Sequence, residues 1–423
     1  MMYRQIIQKI KLIFSFTLII LMVTTSVWFP FNPADAIRQY SRPFEFDYIR
    51  WEIKAIWDKV LEISFGIAPH LTIEQQRYIV RDYFRLLAQS KDIEQNLNML
   101  YSEPGTINTK KISALEKDLS LIQKQLKYQS MLAEPVIQNQ LSFAIANLNI
   151  PSIATPFPPL LFQSTPLPKQ LIISPKDVIR QEKSISLVPD ISLDEMIALE
   201  ELVEEFTDYS ALVVPIGGVG TYPTMIVQTN YLPNFLNTAG HEWIHNHLTF
   251  RPLGLRYGAT PALRTMNETT ANISGNEIMQ ETLRLFYPEY FEDDPIIPDS
   301  LQANAPFLPT QTEAGFNYSE VMYRTRIQVD ELLAQGKIKE AEQFMEAQRQ
   351  VFWENGYQIR KLNQAYFSFY GAYADTPFSA AGRDPVGENV RLFRTQHADL
   401  ASFIWNMSWM LNYRQLRIAA RAL

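Results

Sequence analysis

The 423-residue chain has no cysteine. That excludes a disulfide framework and any thiolate-bound metal, so a metal here would have to sit on nitrogen and oxygen donors. Positive charge is also short: 38 Lys and Arg against 45 Asp and Glu leave a formal net charge of −7. Without a basic footprint, nucleic acid is not an expected partner. Histidine occurs only five times. Long apolar runs are rarer still. The Phe403–Met407 stretch is too short and too polar to cross a bilayer, and only the N-terminus carries a longer one. The glycine-rich Gly217-Gly218-Val219-Gly220 is followed by neither Lys-Ser/Thr nor a helix start, which excludes a nucleotide loop; it reads as a mobile turn.

What the chain does have is His241-Glu242-Trp243-Ile244-His245, an HExxH stretch. On a helix, side chains four residues apart project from one face one turn apart, so both imidazoles can reach a single tetrahedral zinc. Glu242 falls about 60° around the wheel from His245, better placed to act on a metal-bound water than to bind the metal. With so few His, the pattern arises by chance on the order of once in a few hundred such chains. Pro233 suits the first turn of the helix, and Leu232, Phe235, Leu236, Ile244 and Leu248 give it an apolar stripe. Gly240 inside it is costly by about 1 kcal/mol against Ala, which makes sense where another backbone packs close beside the site. His247 points about 200° away from His245 and reads as a surface or packing residue.

A catalytic zinc needs a third protein ligand. A metzincin would have Gly and His where this chain has Leu248 and Arg251, and no Asp occurs between His245 and Asp293. What remains is Glu, and Glu268 and Glu277 both fall in Thr265–Leu285, which reads as a helix. They lie nine residues apart and on opposite faces, so only one can face the metal.

The HExxH followed 23 positions after His245 by Asn267-Glu268-Thr269-Thr270-Ala271-Asn272 resembles the gluzincins, the thermolysin-like metallopeptidases. The resemblance covers roughly Leu212 to Leu285. It implies Glu268 as the third ligand, carried by a second helix. It also implies an outer-shell acceptor one turn later, where Asn272 stands in place of an acid and brings no charge. It further implies a strand before the active-site helix that forms an edge able to pair with extended peptide; Met225–Thr229 holds that place. Zn2+ is the implied cofactor and a peptide or protein the implied substrate. The Gly-x-Met-Glu-Asn signature of one aminopeptidase group is absent, so no amine anchor is assigned. A donor for the developing oxyanion is also required. Tyr366, Tyr370, Tyr373 and His397 are the candidates, although an aromatic cluster such as Gln358–Tyr373 more often fills a core.

The rest of the chain frames this region. Arg4, Lys9 and Lys11 precede the apolar run Leu12–Phe29, so residues 1–36 read as a membrane anchor or signal segment. We expect an uncleaved single-pass anchor at the cell membrane with the bulk of the chain outside the cytoplasm, or a secreted protein if Ala34-Asp35-Ala36 is cleaved. Residues 37–150 read as a helical membrane-proximal region, with periodic apolar positions at Tyr48–Val60, Ile73–Ala88 and Ile107–Leu132. The Pro-rich Pro151–Pro175 marks a boundary, and 151–423 reads as a zincin-like metallopeptidase domain in an α+β chain. Short strands are expected at Leu160–Gln163, Gln170–Ile173, Ser184–Val188, Leu212–Pro215 and Met225–Gln228. Helices are expected at Ile191–Phe206, whose six carboxylates read as a solvated face, and at Tyr318–Gln335, Ile338–Trp353 and Leu400–Arg417. The expected activity is zinc-dependent hydrolysis of peptide bonds outside the cytoplasm. The rival is a catalytically silent envelope protein with a structural metal and a helical assembly region; Glu242 discriminates, since a structural site has no use for it.

Overall fold

The computed structural model describes residues 37–66, 70–102, 109–150, 156–291, 316–371 and 385–421. The chain divides into two units, Met1–Arg42 and Pro43–Leu423. Of the first, the described part is one helical turn, Arg38–Ser41. The second is mixed α/β and mostly helical.

Three helices lead: α1 (Tyr48–Phe65), α2 (Ile73–Ser102) and α3 (Thr109–Asn147). The last two run further than their apolar periodicity suggests. α3 continues through Pro135, because Ala133, Val136, Ile137 and Leu141 are buried there, and packing outweighs the helix-breaking tendency of a proline. Two three-stranded sheets follow. One has the order β3-β2-β4, all antiparallel, from Lys183–Leu187, Lys169–Pro175 and Tyr209–Val214. The other has the order β1-β6-β5, from Phe162–Ser164, Thr224–Ile226 and Gly218–Val219. In it β6 pairs parallel with β1 (Met225 opposite Gln163) and antiparallel with β5 (Met225 opposite Val219). The strand before the HExxH helix is therefore central and not an edge. The edges are β1 and β5, and β5 is built from the glycine-rich turn.

Between β3 and β4 lies α4 (Leu193–Phe206), opened by a Ser192–Glu195 capping box. Its acidic residues are not all solvated. Glu200 is 1% exposed; it accepts a 2.7 Å hydrogen bond from Val213 N and grips Arg360 with both carboxylate oxygens. Charge periodicity alone cannot separate a buried, fully paired carboxylate from a surface one.

After β6 come α5 (Leu232–Leu248), a one-turn helix Pro252–Leu255, and α6 (Pro261–Phe286). The chain continues with α7 (Tyr318–Ala334), α8 (Ile338–Glu354), α9 (Gln364–Tyr370), α10 (Val386–Thr395), α11 (Leu400–Ser408) and α12 (Tyr413–Ala419). The expected single C-terminal helix is two, because Asn412 caps α12 by accepting from Gln415 N and so restarts the chain in a new direction. The helix α10 has no counterpart in the sequence reading.

One hydrophobic core joins α2 and α3 to α5, α6 and α10–α12: Tyr83, Ile137 and Leu141 pack in the same cluster as Phe235, Leu236, Ile278 and Phe403. Phe235 makes T-shaped contacts with Phe84 and Phe162, with ring centroids 5.7 and 5.3 Å away. A second core lies between β2, β4 and α7–α9, around Ile172, Leu212, Phe352 and Phe367.

Among the described residues no helix is long and apolar enough to cross a membrane. The longest, α3, carries Lys110, Lys111, Glu116, Lys117, Asp118 and Lys124 in its first turns, whereas a span needs about 20 predominantly apolar residues. This corrects the expected single-pass placement at the cell membrane. The run Leu12–Phe29 and the Ala34-Asp35-Ala36 pattern themselves lie outside the described residues.

Candidate metal centre

The site is built where α5 crosses α6. Pro233 sits in the first turn of α5, and Thr260 caps α6 by accepting from Leu263 N at 3.2 Å, ahead of Pro261. The crossing is tight because two glycines meet in it. A Cβ on Gly240 would lie 3.2 Å from Gly275 Cα, and one on Gly275 would lie 2.8 Å from His241 N and 2.9 Å from Asn237 O. The close backbone inferred from Gly240 is thus α6 itself, and Gly275 is its unforeseen partner.

This approach brings Glu268 to the HExxH pair. His241 Nε2 and His245 Nε2 are 3.0 Å apart, and each is 3.5 Å from Glu268 Oε2. Tetrahedral bonds of the usual length hold ligand atoms about 3.3–3.6 Å apart; the two nitrogen–oxygen edges match, and the imidazoles would part by about 0.3 Å to take one small cation. His241, Glu242 and Glu268 are all buried, and Glu268 Oε2 and His241 Nδ1 have no hydrogen-bond partner. A buried carboxylate oxygen left unpaired is costly, and a cation at the centre of the triangle would satisfy it. Glu277, on the opposite face of α6, instead pairs with Arg394 of α10 at 2.7 and 2.9 Å.

Neighbouring groups fix the donors. His245 Nδ1–H donates to Asn267 Oδ1 at 2.8 Å, which sets the tautomer and leaves the Nε2 lone pair facing Glu268. Asn267 is held in turn by its amide donating to Leu253 O at 3.3 Å. Tyr257 OH donates to Glu268 Oε1 and so turns Oε2 toward the imidazoles. Its ring stands edge-on to His245 at 6.0 Å, and Arg264, anchored on Ser368 O, reaches Tyr257 OH at 3.4 Å. Neither imidazole uses Asn272 at Nδ1, since that of His245 is on Asn267 and that of His241 has no partner; Asn272 is buried on α6 one turn past Glu268. Asn267 was legible as an amide directly preceding Glu268. Tyr257 arrives from the loop after α5 and carried no signal.

Electrostatics separate the two carboxylates. Burial pushes the Glu242 carboxyl up, and the pull of His241 and His245 does not offset it. Burial acts on Glu268 too, but His245 and His241 more than reverse it and hold that carboxyl well below the ordinary carboxylate range. The result is an ionised ligand beside a more basic carboxylate, a division of labour suited to metal-assisted proton transfer. In the metal-free site, burial lowers His245 but Glu268 and Glu242 outweigh it and raise it to about 9. His247 is a packing residue: it lies against Trp243, donates from Nδ1 to Phe157 O at 2.8 Å, and is lowered to about 4 by burial and by Arg251.

The β5 edge lies over Glu242. A Cβ on Gly218 would fall 2.5 Å from Glu242 Oε1, and one on Gly220 would fall 3.3 Å from His245 Cβ. The glycine-rich turn is needed for this contact, which a side chain would fill.

Among the described residues, the expected oxyanion donors are bonded elsewhere than to this cluster. Tyr366 OH bonds Tyr318 OH at 3.0 Å in the second core, and Tyr370 packs on Tyr366. His397 is held by Phe393 O and Asn406. Tyr373 lies outside the described residues. No hydrogen bond or ring contact joins Tyr366, Tyr370 or His397 to the three donors or Glu242. The hydroxyl that does reach the cluster is that of Tyr257.

The group is therefore a candidate centre for one metal ion, with two imidazoles and a carboxylate as donors. No protein-family model matches the chain, no curated protein matches it, and no solved structure matches it. A His-His-Glu cluster does not by itself identify a gluzincin, so that resemblance rests on the residues of the site.

Proposed function

We propose that the chain is a zinc-dependent peptidase whose metal is held by His241, His245 and Glu268, in a zincin-like α+β domain. The observation that carries this reading is the convergence of three buried donors, one of them an unpaired carboxylate oxygen, with Glu242 packed beside them on the same helix. Zinc held by these three residues would supply a Lewis acid able to acidify water and polarise a carbonyl. Glu242, made more basic by burial, takes a proton from the attacking water and passes it to the departing amine. Glu268 stays ionised throughout, held in orientation by Tyr257, and Asn267 keeps His245 in the tautomer that exposes Nε2. The edge of β5 beside Glu242 offers main-chain hydrogen bonds to an extended peptide, which supports a peptide substrate with little demand on its side chains.

The rival, a silent protein with a structural metal, calls for four protein ligands, whereas the group supplies three among the described residues. Glu242→Gln tests the reading. It keeps size and both imidazoles, so zinc content and stability should match wild type while peptide hydrolysis falls by about 10²–10⁴-fold. A variant that binds zinc and cleaves at the wild-type rate would remove Glu242 from the mechanism.

A further inference from the structure

The helix α1 is mounted inside out. Its inward side carries Lys59, 2% exposed, whose ammonium bonds Glu134 Oε2 of α3 at 2.6 Å and Glu62 Oε2 at 2.7 Å. Glu134 in turn accepts from Ser164 N of β1 at 3.1 Å. A cluster of charges thus fastens α1 to the body of the protein. Its apolar side faces solvent: Ile49, Ile53, Ile56, Trp57, Val60 and Leu61 are between 43% and 66% exposed. A surface helix ordinarily turns these faces the other way. Six adjacent side chains exposed to this degree amount to a patch on the order of 600 Å², at the upper limit for a free-standing monomer.

We propose that this face is covered by the same face of a second copy of the chain, in a two-fold helix pair that makes the protein a dimer. Three observations select that occupant. Ile49, Ile53, Ile56 and Val60 advance by four, three and four residues, the spacing of a helix-pairing seam, and a seam is matched best by another of the same period. A single patch that complements itself gives an isologous contact that closes at two copies. Burying about 600 Å² on each partner totals about 1,200 Å², the lower bound of a standard specific interface. A lipid surface fits less well: α1 exposes only two basic residues, Arg50 and Lys54, and Lys54 is paired with Asp58 at 2.7 Å, while Lys59 is turned into the protein and held by Glu62 and Glu134.

The absence of cysteine provides a direct test on the full chain. Sedimentation equilibrium across about 1–50 µM should show a dimer. The double variant Ile53→Glu/Ile56→Glu should raise the dimer dissociation constant at least 100-fold, with zinc content and helical signal unchanged because both positions are exposed. Under mild oxidation Ile53→Cys or Trp57→Cys should yield a disulfide-linked dimer, and Tyr128→Cys, on an equally exposed helix position, should not. A wild-type monomer at 50 µM, or a dimer indifferent to the double variant, would overturn the proposal. So would a monomeric Trp57→Cys variant whose introduced thiol resists alkylation only with anionic vesicles present, which would assign the face to lipid.

Discussion

Gly275→Ala probes how the crossing of α5 and α6 holds the donors together. The new Cβ would lie 2.8 Å from His241 N and 2.9 Å from Asn237 O, where ordinary contact begins at 3.4 Å. Both atoms are main chain inside α5, so no side chain can swing aside, and α5 must retreat by about 0.6 Å or bend. Overpacking of this kind costs about 1–3 kcal/mol, and a backbone clash falls toward the upper end. Alanine returns about 1 kcal/mol in helix propensity, leaving a net loss of about 1–2 kcal/mol. The retreat also moves His241 relative to Glu268, and metal–ligand distances tolerate only about 0.2 Å, so zinc affinity should fall more than tenfold. Urea unfolding and a chelator competition measure the two effects separately. Gly217→Ala, with nothing within 4 Å of its Cβ, is the control and should change neither. A Gly275→Ala protein with the wild-type unfolding midpoint and zinc affinity would refute the claim that the glycine pair sets the site.

Two further outcomes follow from the same geometry. In Gly218→Ala the atoms nearest the new methyl are Oε1, Cγ and Cδ of Glu242, at 2.5, 2.6 and 2.7 Å, a side chain that can turn aside, so zinc content should hold while peptide hydrolysis drops at least tenfold; full activity would mean that Glu242 works from a different position. Glu62 gives a pH effect: burial, reinforced by Glu134 and opposed by Lys59, pushes its carboxyl from 4.5 up to about 7. The folded state then binds more protons than the unfolded one between these values, so this group costs stability as pH rises from about 4.5 to 7, and the full cost is present above 7. Thermal unfolding of wild type relative to Glu62→Gln should show that decline, and a difference independent of pH would contradict it.

The sequence carried the chemistry of the site better than its surroundings. HExxH is local, one turn and a half of helix, and its consequences follow from helical geometry alone. Glu268 and Glu277 could be separated only by family resemblance, because helix phase says that they oppose each other without saying which side faces α5. The contact of Gly240 with a neighbouring backbone was legible from its cost in a helix, but its partner Gly275 lies 35 positions away and depends on how the helices cross. Tyr257 depends on loop geometry after α5, whereas Asn267 sits on α6 beside Glu268 and meets His245 through the helix crossing. Of the oxyanion candidates, Tyr366 and Tyr370 pack in the second core, where Tyr366 bonds Tyr318, as an aromatic cluster in sequence more often does. The strand assignments placed most elements within a few residues, yet not their order in the sheet. Pairing of β1 with β6 is non-local, and it is what pushes β6 to the centre and leaves β5 at the edge.

The central claim is that two imidazoles and Glu268 hold one zinc, and elemental analysis of the purified protein tests it most directly. Wild type should carry about one zinc per chain, since three protein donors define a single catalytic site. Glu268→Ala should lose most of it. Glu277→Ala, which breaks only the partly exposed pair with Arg394, should keep it. Wild-type protein free of zinc, or a Glu268→Ala variant that retains the wild-type amount, would contradict the account.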